Sequence, residues 1–188
     1  MATNGLVIAG LGSGSGKTTL TLGILRALSR RGLAVGAAKT GPDYIDGAFL
    51  AAACGTPAVN LDAHAMPAEM LRHLAYTQSP PFLLIEGVMG LFDGSDGGSG
   101  STAALSGILG LPVLLVIDVR HQAQTAAAIA AGMRALLPDN SRMAGVVLNR
   151  VASSRHEQLI ATALGAYDIA LFGSLPSHLD ITVPSRHL

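Results

Sequence analysis

The chain of 188 residues is 49% hydrophobic and only 13% charged, with twelve Lys and Arg balancing twelve Asp and Glu for a formal net charge of zero. That is one domain of ordinary size with a sizeable core; it excludes a disordered chain and leaves no global field to gather nucleic acid or an anionic membrane. No apolar stretch approaches the roughly 18 residues of a membrane span, a single cysteine excludes an internal disulfide, and no signal-like segment opens the chain, so the expected location is cytoplasmic.

The apolar run at 6–10 (LVIAG) predicts a strand, which leads through the glycine-serine stretch 12–16 into a helix ending near Arg31. Further strands are expected at 33–38, 82–85, 112–117, 144–148 and 169–172. They alternate with helices near 46–54, 67–77, 101–109, 121–137 and 153–165. Continuous apolar strands separated by helices indicate a mostly parallel sheet covered on both faces, a three-layer α/β domain. The alanine-rich helix at 121–137 should lie close against the sheet. Segment 94–101 (GSDGGSGS) breaks the rhythm and reads as a mobile loop. It begins at the carboxyl edge of a strand, where ligands of open α/β sheets bind, so it is either an active-site lid or a surface linker.

Only Lys17 and Lys39 are lysines; the other ten basic residues are arginines. Lys17 closes Gly12-Ser13-Gly14-Ser15-Gly16-Lys17-Thr18-Thr19, a phosphate-binding loop between a predicted strand and a predicted helix. Its glycines let backbone N–H groups wrap a phosphate, Lys17 neutralises phosphate oxygens, and the Thr18 hydroxyl suits a Mg²⁺ position. Strict spacing would put glycine at position 11, where the chain has Leu11, so this is a variant loop. Leu11 also disfavours the ATPases that dimerise face to face through a second lysine at that place.

The second strand ends in Lys39-Thr-Gly-Pro-Asp43-Tyr-Ile-Asp46, which sets a cation and two carboxylates on the same rim as the phosphate loop. Asp43 is a candidate Mg²⁺ ligand. Asp46 is either a site carboxylate or a helix N-cap. Glu86, one of three glutamates, closes the strand Phe82-Leu-Leu-Ile85 and is expected near or on Mg²⁺. Asp93 opens the glycine-rich loop, either contacting substrate or forming an Asp-Gly turn. Asp118 and Asn149-Arg150 close the next two strands on that edge. Asn149 either reads a base or forms a turn; without the N-K-x-D that guanine-specific proteins carry, the base is expected to be adenine.

Taken together, SGSGKTTLTLGILRALSRRGLAV, KTGPDYIDGAF, NLDAHAM, IEGVMGLFDG, GVVLNRV and the terminal PSRHL resemble the N-terminal nucleotide-binding domain of the cobyrinic acid a,c-diamide synthase family, which includes the hydrogenobyrinic acid enzymes. A looser similarity to dethiobiotin synthetase runs through the phosphate loop and Glu86-Gly87. The resemblance implies a P-loop NTPase fold and ATP-dependent amidation of the a and c acetate carboxylates of a corrin-type macrocycle through an acyl phosphate. It implies that Lys17, Thr18, Asp43 and Glu86 hold ATP and Mg²⁺ with Lys39 near the γ-phosphate. Asp46 and Asp93 would serve the substrate carboxylate and Asn149 the adenine.

Gly47, Leu50 and His64 depart from the family's usual proline, histidine and tryptophan, which bears on substrate fit rather than nucleotide binding. Residues 1–188 are expected to be one amidoligase domain. The family's following glutamine amidotransferase domain is not among them, so ammonia is expected from that domain as a partner or from a separate source, and a homodimer is a possible assembly. Cys54, in a predicted helix after an alanine run, reads as a buried structural thiol and not as a glutaminase nucleophile. The alternatives are a nucleotide-switched module such as a metal-delivery NTPase, or a substrate-binding fragment without turnover. The former usually clusters His or Cys, whereas the six histidines here, at 64, 73, 121, 156, 178 and 187, are scattered. Arg120, Arg150, Arg155 and Arg186 are candidates for meeting substrate carboxylates.

Overall fold

The computed structural model describes residues 4–43, 45–77 and 81–177. Tyr44 of the second-strand motif, His178, His187, Arg186 and the terminal PSRHL lie outside them. Seven strands run β1 (Gly5–Gly10), β2 (Gly36–Thr40), β3 (Ala58–Leu61), β4 (Leu83–Glu86), β5 (Pro112–Asp118), β6 (Arg142–Val151) and β7 (Leu171–Pro176). They form one sheet in the order β3-β2-β4-β1-β5-β6-β7, and every pairing is parallel. The crossovers are helices α1 (Lys17–Arg30), α2 (Asp46–Cys54), α3 (Ala68–Thr77), α4 (Thr102–Leu109), α5 (Thr125–Ala135) and α6 (Ser154–Gly165).

Alternation along each strand divides the core between the two faces of the sheet. Val7, Ile85, Val113, Leu115 and Ile117 pack with Leu71, Leu105, Ala127 and Ile160 from α3, α4, α5 and α6. Their neighbours Ile8, Leu84, Leu114 and Val116 pack with Leu25 of α1 and Leu50 of α2. Helix α5 presents Ala126, Ala127 and Ala130 with no exposure at all, the close approach that its composition predicts.

The sequence reading missed β3. Its four residues lie at the sheet edge, only Leu61 is fully buried, and Pro57 precedes them, so the segment lacks the continuous apolar run that marks the inner strands. The second strand starts later than expected because Leu33 is half exposed in the preceding turn. Strands β6 and β7 extend beyond their expected ends, and Asn149 and Arg150 belong to β6 itself. The 94–101 segment holds a single 3-10 turn, Asp96–Gly98, and closes on itself through Ser95 N–H donating to Ser99 O at 2.9 Å. His64 Nδ1 stands 3.3 Å from Ser95 Oγ and so ties this loop to the segment after β3.

Candidate active site

Strand β1 lies between β4 and β5, so the loop that follows it is flanked by the ends of both neighbours. This is the carboxyl edge of the sheet, where open α/β folds bind ligands. Gly14 and Gly16 take left-handed backbone angles, with φ of 77° and 97°. Gly16 also leaves no room for a side chain, since a Cβ there would meet Asn149 Nδ2 at 2.2 Å. The loop is braced by Ser15 Oγ donating to Gly12 O at 2.7 Å. Ser13 lines its outer side with Leu11 and Gly12, along a cleft of about 360 Å³ whose far wall is Asp118, Arg120, His121 and Gln122.

Lys17 opens α1 and is nearly closed to solvent. Its Nζ donates to Gly12 O at 2.9 Å and to Met89 O at 2.5 Å. Burial, helped by the charge of Lys39, pushes its pKa down to about 8, against the opposing pull of Glu86 and Asp93. Met89 accepts that bond from a left-handed conformation (φ 43°), local strain of about 1–3 kcal/mol for a residue with a side chain. The Gly87–Asp93 segment is strapped to the loop as well, by Leu91 N–H donating to Gly10 O at 2.8 Å.

Glu86 is fully buried at the end of β4. Its Oε1 accepts from Thr18 Oγ1 in a short hydrogen bond and from Lys39 Nζ at 3.1 Å. Among the described residues its Oε2 has no hydrogen-bond partner. A buried carboxylate oxygen costs free energy when left unsatisfied, and one beside a threonine hydroxyl at a phosphate loop suits an oxygen-seeking cation. Thr18 and Glu86 are therefore the pair whose placement fits Mg²⁺. Lys39, also buried, lies 2.8 Å from Asp46 Oδ2 and 4.0 Å from Asp43 Oδ2.

The structure thus brings Lys17, Thr18, Lys39, Asp46 and Glu86 together. Asp43 stands at their margin, and Asp46 is the first residue of α2, whose N-cap is Ile45. Asp43 Oδ1 accepts from Ile45 N–H at 3.0 Å and Asp46 N–H at 2.9 Å, an Asx turn that leads into α2, while the Asp46 carboxylate faces Lys39. Asp93 Oδ2 accepts from Gly90 N–H at 2.7 Å, closing a turn over residues 90–93 rather than one with Gly94, while its charge is felt at Lys17. Thr19 is a half-buried residue in the first turn of α1. Asn149 turns toward the loop and donates from Nδ2 to Ser15 O at 2.9 Å. Cys54 is a buried thiol at the end of α2.

Among the arginines, Arg120 borders the cleft with its guanidinium half exposed. Arg150 instead reaches the phosphate loop, donating to Gly14 O at 3.0 Å. Arg155 is exposed at the start of α6. Asp118, between the first two, accepts from both; partial burial raises its pKa, but the bonds from Arg120 and Arg150 outweigh this and hold it below the usual carboxylate range. The role of Asp118 and Arg150 at the loop was not read from sequence, because a strand-end Asp or Arg is common and the backbone turn that aims Arg150 leaves no compositional mark.

Comparison with known proteins bears on this geometry. Residues 6–188 match the model of the CobQ/CobB/MinD/ParA nucleotide binding domain. The chain belongs to this family. The chain is 49% identical to the hydrogenobyrinate a,c-diamide synthase of Mesorhizobium japonicum over 100% of its own length and 44% of that protein. It is also 49% identical to the synthase of the same name from Rhodobacter capsulatus, over 98% of its length and 43% of that protein. The chain therefore spans less than half the length of these curated relatives. Among solved structures it is similar to a nucleotide-binding protein in complex with ADP from Archaeoglobus fulgidus, with TM-score 0.62 and 14% identity over 95% of this chain and 84% of that one. It is also similar to the hydrogenase maturation factor HypB of that organism, with TM-score 0.54 and 19% identity over 91% and 80%. These likenesses bear on the fold, which is that of a P-loop NTPase. None of the helices in the described residues is long and apolar enough to cross a membrane, and those residues hold no group of three or more His, Cys, Asp or Glu side chains arranged for a metal.

Proposed function

We propose that this chain is the ATP-dependent amidoligase portion of a corrin a,c-diamide synthase, converting the a and c acetate carboxylates of hydrogenobyrinate or cobyrinate to amides. The observation that carries the reading is the buried Lys39, paired with Asp46 and Glu86 beside the phosphate loop, in a chain about half identical to two hydrogenobyrinate a,c-diamide synthases. A carboxylate does not react usefully with ammonia in water. Its oxygen first attacks the γ-phosphorus of ATP, ADP leaves, and ammonia then displaces phosphate from the acyl phosphate. Such a transfer depends on positioning and charge neutralisation.

In this scheme the backbone of Gly12–Thr19 and Lys17 hold the β- and γ-phosphates, and Lys39 offsets charge that builds on the transferring group. Thr18 and Glu86 would hold Mg²⁺, with Asp43 at the margin of that set; the ion supplies charge neutralisation on the phosphate oxygens. Asp46, fixed by Lys39, and Asp93, beside Lys17, would orient the substrate arm. Asn149 commits Nδ2 to the loop, so Oδ1 is the atom that faces a base; adenine offers it an amino donor where guanine offers a carbonyl. Ammonia would come from a glutamine amidotransferase domain or as free ammonium.

The test is ADP release from Mg·ATP with excess ammonium, with hydrogenobyrinic acid, cobyrinic acid or no macrocycle, and Glu86→Gln as control. ADP that requires a macrocycle and vanishes in the control supports the reading. Equal ADP with and without macrocycle overturns it.

A further inference from the structure

Asn149 and Arg150 are neighbours in β6, and neighbours in a strand point to opposite faces. Here both reach the same loop. Asn149 Nδ2 donates to Ser15 O at 2.9 Å and Arg150 Nη1 donates to Gly14 O at 3.0 Å. The exception arises in the backbone: Arg150 takes a left-handed conformation, φ 60°, which breaks the alternation at a cost that a side chain normally avoids. The guanidinium is fixed from behind, since Nη1 also lies 2.5 Å from Asp118 Oδ2 at the end of β5. Asp118 is held in turn by Arg120 at 2.9 Å. The end of β6, braced by Asp118 of β5, therefore grips two successive carbonyls of the loop.

The carbonyls matter because a peptide is planar, so its C=O and N–H point in opposite directions. Turning Gly14 O outward to Arg150 turns the Ser15 N–H the other way. Turning Ser15 O outward to Asn149 does the same for the Gly16 N–H. Those two N–H groups belong to the stretch that must face a bound phosphate. Gly14 and Gly16, both at positive φ, give these peptide planes little steric resistance to rotation. Something outside the loop must choose the orientation.

We infer that Arg150, anchored by Asp118, is a positioning residue that with Asn149 sets the two loop peptides with their N–H groups toward the β-phosphate, so that the anion site is formed before nucleotide arrives. The inference rests on the reading that nucleotide phosphates occupy this loop, and goes beyond it by assigning the organisation of the loop to β5 and β6. A preset donor array needs no reorganisation on binding, which is where its advantage lies.

The experiment compares ADP with AMP by calorimetry, because only ADP carries a β-phosphate. Wild type should bind ADP far more tightly than AMP; equal binding would overturn the nucleotide reading itself. Arg150→Gly is the informative variant, as glycine accepts positive φ and removes the strain along with the side chain. It should melt no lower than wild type without ligand, yet lose roughly tenfold or more of its ADP affinity while AMP is unchanged, the scale of one charge-assisted hydrogen bond. Millimolar guanidinium should restore part of the loss in Arg150→Gly and none in wild type. Asp118→Asn should fall between the two. The assignment is overturned if the ADP to AMP ratio of Arg150→Gly equals that of wild type, or if both nucleotides weaken together and guanidinium restores nothing. Should Arg150→Gly fail to fold, the same ratio is read in Arg150→Asn, which tolerates a left-handed backbone and removes the Nη1 that makes both bonds, with the same two outcomes.

Discussion

Lys39 Nζ lies 2.8 Å from Asp46 Oδ2 with both side chains almost wholly withdrawn from water, and the same ammonium meets Glu86 on its other side. One buried cation thus holds two buried carboxylates apart. Removing it takes this ion pair from Asp46 and from Glu86 alike, in a low-polarity surrounding. Lys39→Met is expected to cost about 3–5 kcal/mol, the scale for a buried ion pair that loses one partner. Urea unfolding would measure it. A loss below about 1 kcal/mol would mean that the carboxylates find water or protonate easily.

Lys17 gives the protein a pH dependence on the alkaline side. Its pKa, pushed down to about 8, is below that of an unfolded lysine, so the folded chain binds this proton less tightly than the unfolded chain. Its charge therefore weighs against folding below about pH 8, and that cost is relieved as pH rises from about 8 toward the ordinary 10.5. Wild type should gain stability over this window relative to Lys17→Met, in urea titrations run at several pH values. Binding of a polyphosphate should draw the proton back. Calorimetry of ADP binding near pH 8.5, in buffers of different ionisation enthalpy, should register net proton uptake that Lys17→Met abolishes; no uptake in wild type would contradict the lowered pKa.

Gly16 is constrained twice, by a positive φ and by the amide of Asn149. Gly16→Ala should remove ADP binding and lower stability by about 1–2 kcal/mol from the backbone alone, with the collision added. In the double variant Gly16→Ala, Asn149→Ala the collision is gone and the backbone cost remains. Thermal melts of the two should therefore differ, the double variant being the more stable; identical melts would show that Asn149 simply swings aside.

Glu86→Gln keeps an acceptor for Lys39 and Thr18 but removes the charge of the buried, unpartnered Oε2. With ADP present, added Mg²⁺ should raise the melting temperature of wild type and leave that of Glu86→Gln unmoved. An equal rise in both would place the cation elsewhere.

What the sequence made legible follows from how local each signal is. The phosphate loop, the inner strands and the alanine face of α5 are written in contiguous residues, and period and composition suffice to find them. Edge strand β3 is short and half buried, so nothing in its four residues separates it from a loop. Asp43 and Asp46 are three apart at the start of a helix; only the folded backbone decides that Asp43 closes the turn before it and Asp46 faces Lys39. The bonds from Asn149 and Arg150 cross well over a hundred residues of sequence and depend on one positive φ, information no local pattern carries.

The parallel sheet has a kinetic consequence. No two paired strands are joined by a hairpin, so every pairing requires a long crossover to close before it is rewarded, which slows folding. The phosphate loop and Glu86 meet only through β1 and β4, whose partners Ile8 and Glu86 lie far apart in the chain with β2 and β3 formed between them. Competence to bind nucleotide should therefore emerge late, after secondary structure has formed, and the gain of ADP binding during refolding would time the docking of the central strands more directly than any loss of helical signal could.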